Sequence, residues 1–134
     1  MGGGEKWDFL YYSINSLKRR WKEMDISKVS CVGAGLIGQG WATLFSSKGF
    51  EVTLQDVTEA ILEKAVERVT SNLMFLEAND LLRPGEADAA LKRIRTTTDI
   101  AEAVGHVDYV QESVPDNYDV KRQIFKEMDA AAPD

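Results

Sequence analysis

Apolar positions along the chain switch between two spacings, and the switches mark out elements. Near the start, Leu10, Ile14, Leu17, Trp21 and Met24 recur at steps of four and three, which is one face of a helix. Lys18, Arg19, Arg20 and Lys22 gather at its C-terminal end, where cations suit the helix dipole. From Ile26 the period changes. "KVSCVG" (Lys28–Gly33) is a short β-branched run ending in glycine, which suits a buried parallel strand. Leu36 to Lys48 is predicted to be helical, with Ile37, Trp41, Leu44 and Phe45 on one face and Gly49 to end it. "FEVTLQD" (Phe50–Asp56) alternates as a second strand should. Thr58 to about Asn79 reads as a long helix striped by Leu62, Val66, Val69, Leu73 and Leu76. Arg83-Pro84-Gly85 breaks the chain, and a shorter helix follows with Ala87, Leu91 and Ile94. "IRTTTD" (Ile94–Asp99) holds a short strand, and Asp99 caps a helix of one or two turns that Gly105 closes. "HVDYVQES" (His106–Ser113) is the last strand and Pro115 stops it. Asp116 or Asn117 then caps a helix with Val120, Ile124 and Met128 on one side.

Strands alternating with helices in the order β-α-β-α-α-β-α-β-α imply a parallel sheet, because parallel neighbours need long crossovers. The handedness rule leaves a doubly wound α/β sheet as the natural topology, with its ligand crevice outside the carboxyl ends of the strands. Two regions are expected: a helical extension over residues 1–25 and one α/β domain over 26–134. The extension reads either as a docking or membrane-surface helix or as a segment outside the domain, with Met24 as an alternative start.

Composition narrows the classes. The 134 residues carry a net charge of -6, with 44% hydrophobic and 28% charged residues, as in ordinary globular domains. An acidic surface repels phosphate backbones, so nucleic acid is not an expected partner. No run approaches the 18 apolar residues of a membrane span, and the start lacks a signal-peptide pattern. Cys31 is the single cysteine and reads as a small buried side chain in a reducing compartment, so a cytoplasmic location is expected.

The candidate chemistry lies in "CVGAGLIGQGWA", Cys31 to Ala42. Glycines at 33, 35 and 38 form GxGxxG between a predicted strand and a predicted helix, the context that a dinucleotide fingerprint requires. Gly33 permits the tight turn, Gly35 lets the backbone approach a pyrophosphate, and Gly38 lets the helix pack close to the strand. Free N–H groups at the helix start then face the anion. Asp56 ends the second strand eighteen residues after Gly38, where an acid binds the adenosine ribose hydroxyls. Val57 and Thr58 follow with no cation for a 2′-phosphate, so NAD is expected over NADP. Asp56 also reads as a helix cap, with Glu59 completing a capping box. No His/Cys/Asp cluster has metal-ligand spacing.

"VGAGLIGQGWA", "EVTLQD" and "DYVQESVPDNYDVKRQIFKEMD" together resemble the NAD-binding domain of the 3-hydroxyacyl-CoA dehydrogenase family, over roughly Ser27 to Asp134. The Glu112-Ser113-Val114-Pro115 stretch with Asp116, Asn117 and Lys121, and a helical hairpin from Thr58 to about Arg95, are its more specific marks. The resemblance implies a Rossmann-type sheet with a helical hairpin insertion, cut before a C-terminal helical domain. It implies NAD as cofactor and hydride transfer on a 3-hydroxyacyl substrate, as in fatty acid metabolism, with a homodimer for the full-length parent. Gly33, Gly35, Leu36, Ile37 and Gly38 would cradle the pyrophosphate. Asp56 and Val57 would hold the adenosine ribose. Ser113 and Val114 would pass the nicotinamide half, with Asp116 and Lys121 near its ribose. Beside these roles, Asp116 also reads as a helix cap and Lys121 as a solvated side chain. The family's catalytic histidine and glutamate have no counterpart here, and His106 does not match the histidine's position. Asn72 and Asn79 stand where acyl-CoA enzymes carry a serine and a lysine that hold CoA. "QES", "VP" and Trp41 look more like the branch of carnitine and gulonate dehydrogenases, which points to a small 3-hydroxy acid. A non-catalytic dinucleotide-binding module and a structural, crystallin-like protein stay open as alternatives.

Overall fold

The computed structural model describes residues 19–20 and 23–133. The stripe expected over Leu10 to Trp21 lies outside the described residues, and Met24, its last member, is exposed. The elements run in chain order β1 (Lys28–Val32), α1 (Leu36–Ser47), β2 (Glu51–Gln55), α2 (Glu59–Ala78), α3 (Glu86–Leu91), β3 (Ile94–Thr97), α4 (Ile100–Val104), β4 (Tyr109–Glu112) and α5 (Tyr118–Ala131). This is the order the hydrophobic spacing predicts. The strands form one parallel sheet ordered β3-β2-β1-β4. The chain moves outward from β1 to β3, then returns across β1 to place β4 on its other side. The β1/β4 gap is therefore the switch point, where crossovers on opposite faces leave a crevice.

Alternation along the strands decides the two faces. Val29, Cys31, Val52 and Leu54 point to one side and meet Phe45 of α1, Leu62, Val69 and Leu73 of α2, and Ala87 and Ala90 of α3. Val32 points to the other side and meets Ala103 and Val104 of α4 and Met128 of α5. Each fully buried leucine or valine contributes about 1.5–3 kcal/mol as an upper bound. The first face, with more of them, is the main core. Phe45 anchors it against Trp41, Phe50 and Tyr109 at ring separations of 5.4, 5.9 and 6.2 Å.

The boundaries have local causes. Thr58, not Asp56, is the N-cap of α2, and its hydroxyl accepts from the Ile61 N–H at 3.3 Å. Asp99 caps α4 through the Ala101 N–H, and Gly105 ends it. Asn117 caps α5, accepting from the N–H groups of Asp119 and Val120. Ile94 belongs to β3 rather than to the preceding helix. The last strand runs Tyr109–Glu112, shorter than His106–Ser113, and just before it the Asp108 carboxylate accepts from the Ser27 and Lys28 N–H groups, both at 2.9 Å. These two donors hold the Asp108 carboxyl below the usual carboxylate range. Burial pushes the Cys31 thiol up to about 12, as expected for a small side chain inside the core.

Helix α1 differs from expectation in its first turn. Ile37 is 67% exposed, and the buried side is Gly38, Ala42, Phe45 and Ser46. The helix sits so close to the end of β1 that only a glycine fits on its inner side. Leu36 and Ile37 are left exposed.

Candidate functional site

The site begins where β1 ends. Gly33 turns the chain at φ +99°, a backbone conformation that side chains other than glycine rarely adopt. Its N–H donates to the Gln55 carbonyl at 2.8 Å, and the Ala34 N–H donates to Asp56 Oδ2 at 2.8 Å. On the other side the Ser113 N–H donates to the Val32 carbonyl at 2.8 Å. The ends of β2 and β4 are thus tied to β1 and to the loop that follows it.

The three glycines have different surroundings. A Cβ on Gly33 would stand 2.8 Å from the Ser113 carbonyl carbon and oxygen and 2.9 Å from the Val114 nitrogen. A Cβ on Gly38 would stand 1.8 Å from the Gly33 carbonyl oxygen. A Cβ on Gly35 would meet nothing within 4 Å. Gly33 and Gly38 are therefore required by the protein's own packing. Gly35 is not, and the space above it is open to a ligand.

That space lies at the N-terminus of α1. Gly35 is the N-cap and offers no side chain to the helix. The first helical bond is Gln39 N–H to the Gly35 carbonyl at 2.9 Å, and the N–H groups of Leu36, Ile37 and Gly38 have no acceptor among the described residues. No acid lies in the first turn. Unpaired donors at the positive end of a twelve-residue helix form an anion site. The Gln39 side chain reaches back to the Ala34 carbonyl at 2.9 Å and braces the loop from below.

Asp56 lies beside this loop, half-buried. Its Oδ2 accepts from Ala34 and its Oδ1 from the Val57 N–H at 2.7 Å. Two backbone donors fix the carboxylate, and each oxygen keeps a lone pair for a further donor such as a hydroxyl. Val57 is 71% exposed next to it. An open ledge with free amide donors and an immobilised acceptor fits a dinucleotide: phosphates on the helix end, ribose hydroxyls on the acid.

At the β4 side, Ser113 and Val114 lie against Gly33, and the buried Ser113 Oγ has no hydrogen-bond partner among the described residues. Asp116 is exposed and caps nothing, the cap being Asn117. Lys121 is partly exposed but paired. Its Nζ lies 3.2 and 3.3 Å from the two oxygens of Glu112, whose Oε1 also accepts from the Val114 N–H at 2.6 Å. In the sequence, Glu112 stands out only as part of the Glu112-Ser113-Val114-Pro115 stretch. Nothing in its local spacing reveals a partner nine positions away, beyond a turn.

The remaining candidates fall elsewhere. His106 lines a cavity of about 480 Å³ at the N-terminal ends of the strands with Lys28, Glu51 and Arg95, the far end of the sheet from the glycine loop. Asn72 donates to the Thr43 hydroxyl of α1 at 3.3 Å, and Asn79 folds back onto the Phe75 carbonyl at 2.8 Å. No group of three or more metal-ligating side chains occurs among the described residues, and none of their helices is long and apolar enough to cross a membrane.

Comparison with known proteins agrees with this geometry. Residues 28–134 match the family described as 3-hydroxyacyl-CoA dehydrogenase, NAD binding domain. Rabbit (Oryctolagus cuniculus) lambda-crystallin is 38% identical over 107 residues, 79% of this chain and 34% of that protein. L-carnitine dehydrogenase of Streptomyces coelicolor is 36% identical over 113 residues, 81% of this chain and 33% of the enzyme. The crystal structure of (S)-3-hydroxybutyryl-CoA dehydrogenase from Ralstonia eutropha superposes with a TM-score of 0.76 at 32% identity, over 81% of this chain and 38% of that one. The chain spans about a third of the length of the curated relatives it matches. With the fingerprint loop, the parallel sheet and the family match over the same residues, the chain belongs to the 3-hydroxyacyl-CoA dehydrogenase family, of which it carries the NAD-binding domain.

Proposed function

We propose that this chain holds NAD across the C-terminal ends of β1 and β4, as the cofactor half of an oxidoreductase acting on a 3-hydroxyacyl substrate. The observation that carries the reading is the open ledge at Gly35, where free N–H groups of α1 stand beside the fixed Asp56 carboxylate. In this reading the amides of Leu36, Ile37 and Gly38 take the pyrophosphate, with Gly33 and Gly35 shaping the approach. Asp56 accepts both hydroxyls of the adenosine ribose, with Val57 against its edge. A 2′-phosphate would bring negative charge onto that carboxylate, so NAD is preferred over NADP. Ser113 and Val114 line the nicotinamide side, and Asp116 and Lys121 lie by its ribose. When bound, NAD supplies the hydride acceptor. This chain's part is to orient it, because His106, its one histidine, lines the opposite end of the sheet.

For the substrate, we propose a small 3-hydroxy acid rather than an acyl-CoA. Asn72 and Asn79 are engaged with α1 and with their own helix, and neither carries a charge for a CoA phosphate. L-carnitine dehydrogenases among the relatives support the same reading. Activity of the family-length protein on acetoacetyl-CoA but not on dehydrocarnitine or other small 3-oxo acids would overturn it.

The first test is equilibrium titration of the chain with NADH and with NADPH, followed by nicotinamide fluorescence. Saturable binding that favours NADH and is lost in Asp56→Ala is the expected result. Equal or tighter binding of NADPH refutes the role of Asp56. Absent binding to a folded chain refutes the cradle and favours a structural protein.

A further inference from the structure

We infer that Glu112 is a positioning residue for the nicotinamide half of the site, acting through Lys121 and the Val114 amide; this rests on the dinucleotide reading above. Glu112 is the last residue of β4, paired in register with Val32 at the end of β1. Its side chain is only 13% exposed, so its charge needs partners. It has two. The Val114 N–H donates to Oε1 at 2.6 Å, and the Lys121 ammonium lies 3.2–3.3 Å from both oxygens. One carboxylate therefore joins the strand end, the loop beyond it and the first turns of α5.

The two contacts do different work. The bond to Val114 fixes the Ser113–Val114 peptide, which is the peptide that packs on Gly33. Losing it would loosen the wall of the crevice. The bond to Lys121 holds an ammonium on a flexible four-carbon stem that would otherwise range through solvent. An ammonium has three donors, and its two contacts with the Glu112 oxygens engage at most two of them. At least one stays available for a hydroxyl. Lys121 is 32% exposed, so the pair is reachable from the crevice but partly shielded from water.

Glu112→Gln separates the two contacts. The amide oxygen still accepts from Val114, while the charge that holds Lys121 is gone. The experiment titrates wild type, Glu112→Gln, Lys121→Gln and the double variant with NADH and with ADP. ADP carries the adenosine ribose and both phosphates but no second ribose. NADH affinity is expected to fall about fivefold in either single variant, as for a partly buried charge-assisted contact, while ADP affinity is unchanged. The double variant is expected to match Lys121→Gln, because Glu112 has nothing to hold once the ammonium is absent. Unchanged NADH binding in Glu112→Gln, or equal losses for NADH and ADP, overturns the inference. So does a double variant whose losses simply add. Lys121→Gln alters a partly exposed side chain and serves alone if Glu112→Gln does not fold; unchanged NADH binding there overturns the inference too. Failure of wild type to bind either nucleotide sinks the dinucleotide reading itself, a result distinct from normal wild-type binding with silent variants.

Discussion

Gly35→Ala separates a cradle from a loop that is glycine-rich for its own packing. The new methyl meets nothing within 4 Å, and Gly35 sits at φ -74° and ψ -168°, which alanine adopts without strain. Two small terms act on stability. Alanine is a poorer N-cap than glycine, by up to about 1 kcal/mol. Alanine also lowers the entropy of the unfolded chain, which stabilises by about 0.4–1 kcal/mol. The two nearly cancel, so the melting temperature is expected to stay within about 3 °C of wild type. Binding should behave differently. The methyl occupies the ledge on which the anion would rest, and NADH affinity is expected to fall at least about tenfold, the equivalent of one displaced charge-assisted hydrogen bond. Gly38→Ala is the internal contrast. Its Cβ would lie 1.8 Å from the Gly33 carbonyl oxygen, so α1 and the loop must part by more than an ångström. Overpacking of backbone against backbone costs about 3 kcal/mol or more, and the melting point should drop by about 10 °C. Circular dichroism melts and NADH fluorescence titrations on the two variants provide the assay. A Gly35→Ala chain that melts as wild type and binds NADH as well as wild type refutes the argument, since the open space would then serve no ligand.

Two further predictions follow from burial and from the sheet edge. Cys31 is fully buried with its thiol pushed up to about 12, so it should resist thiol reagents until the chain unfolds. An unfolded thiol ionises near about 8.5, so above that pH the unfolded state sheds a proton that the folded state keeps; stability must fall as pH rises from there toward 12. Melts across this range in wild type and Cys31→Ala check it, and an equal slope in both counts against the assignment. The second concerns β4, which among the described residues pairs only with β1 and ends the sheet, while Tyr118 and Phe125 of α5 are 78% and 53% exposed. The isolated 134 residues are expected to self-associate through this edge. Light scattering that reports a clean monomer at high concentration would contradict it.

The elements were legible because their causes are local. Period two against period three and four separates strands from helices, and Asp99, Gly105 and Pro115 act on their immediate neighbours. The first turn of α1 was misread for a physical reason. Ile37 is spaced from Trp41 and Phe45 as a core residue would be, whichever way that turn faces. What rotates Ile37 outward is the contact between Gly38 and the Gly33 carbonyl, and a glycine leaves no mark in a hydrophobic pattern. Asp56 was legible as an acid at a strand end, with ribose binding and helix capping both open. The structure excludes the cap, since Thr58 fills that place, and shows the carboxylate held by Ala34 and Val57.

By itself the sequence determined the alternation of elements, the parallel sheet, the fingerprint loop and the acid that follows it, because each depends on residue type and spacing along one stretch of chain. Only the tertiary structure decided which glycine is open to a ligand, that Asn72 of α2 and Asn79 at its C-terminal end are engaged, and that Glu112 gathers Lys121 and the Val114 amide. These depend on distances between the ends of separate strands and helices. The crossovers set those distances, and no local period encodes them.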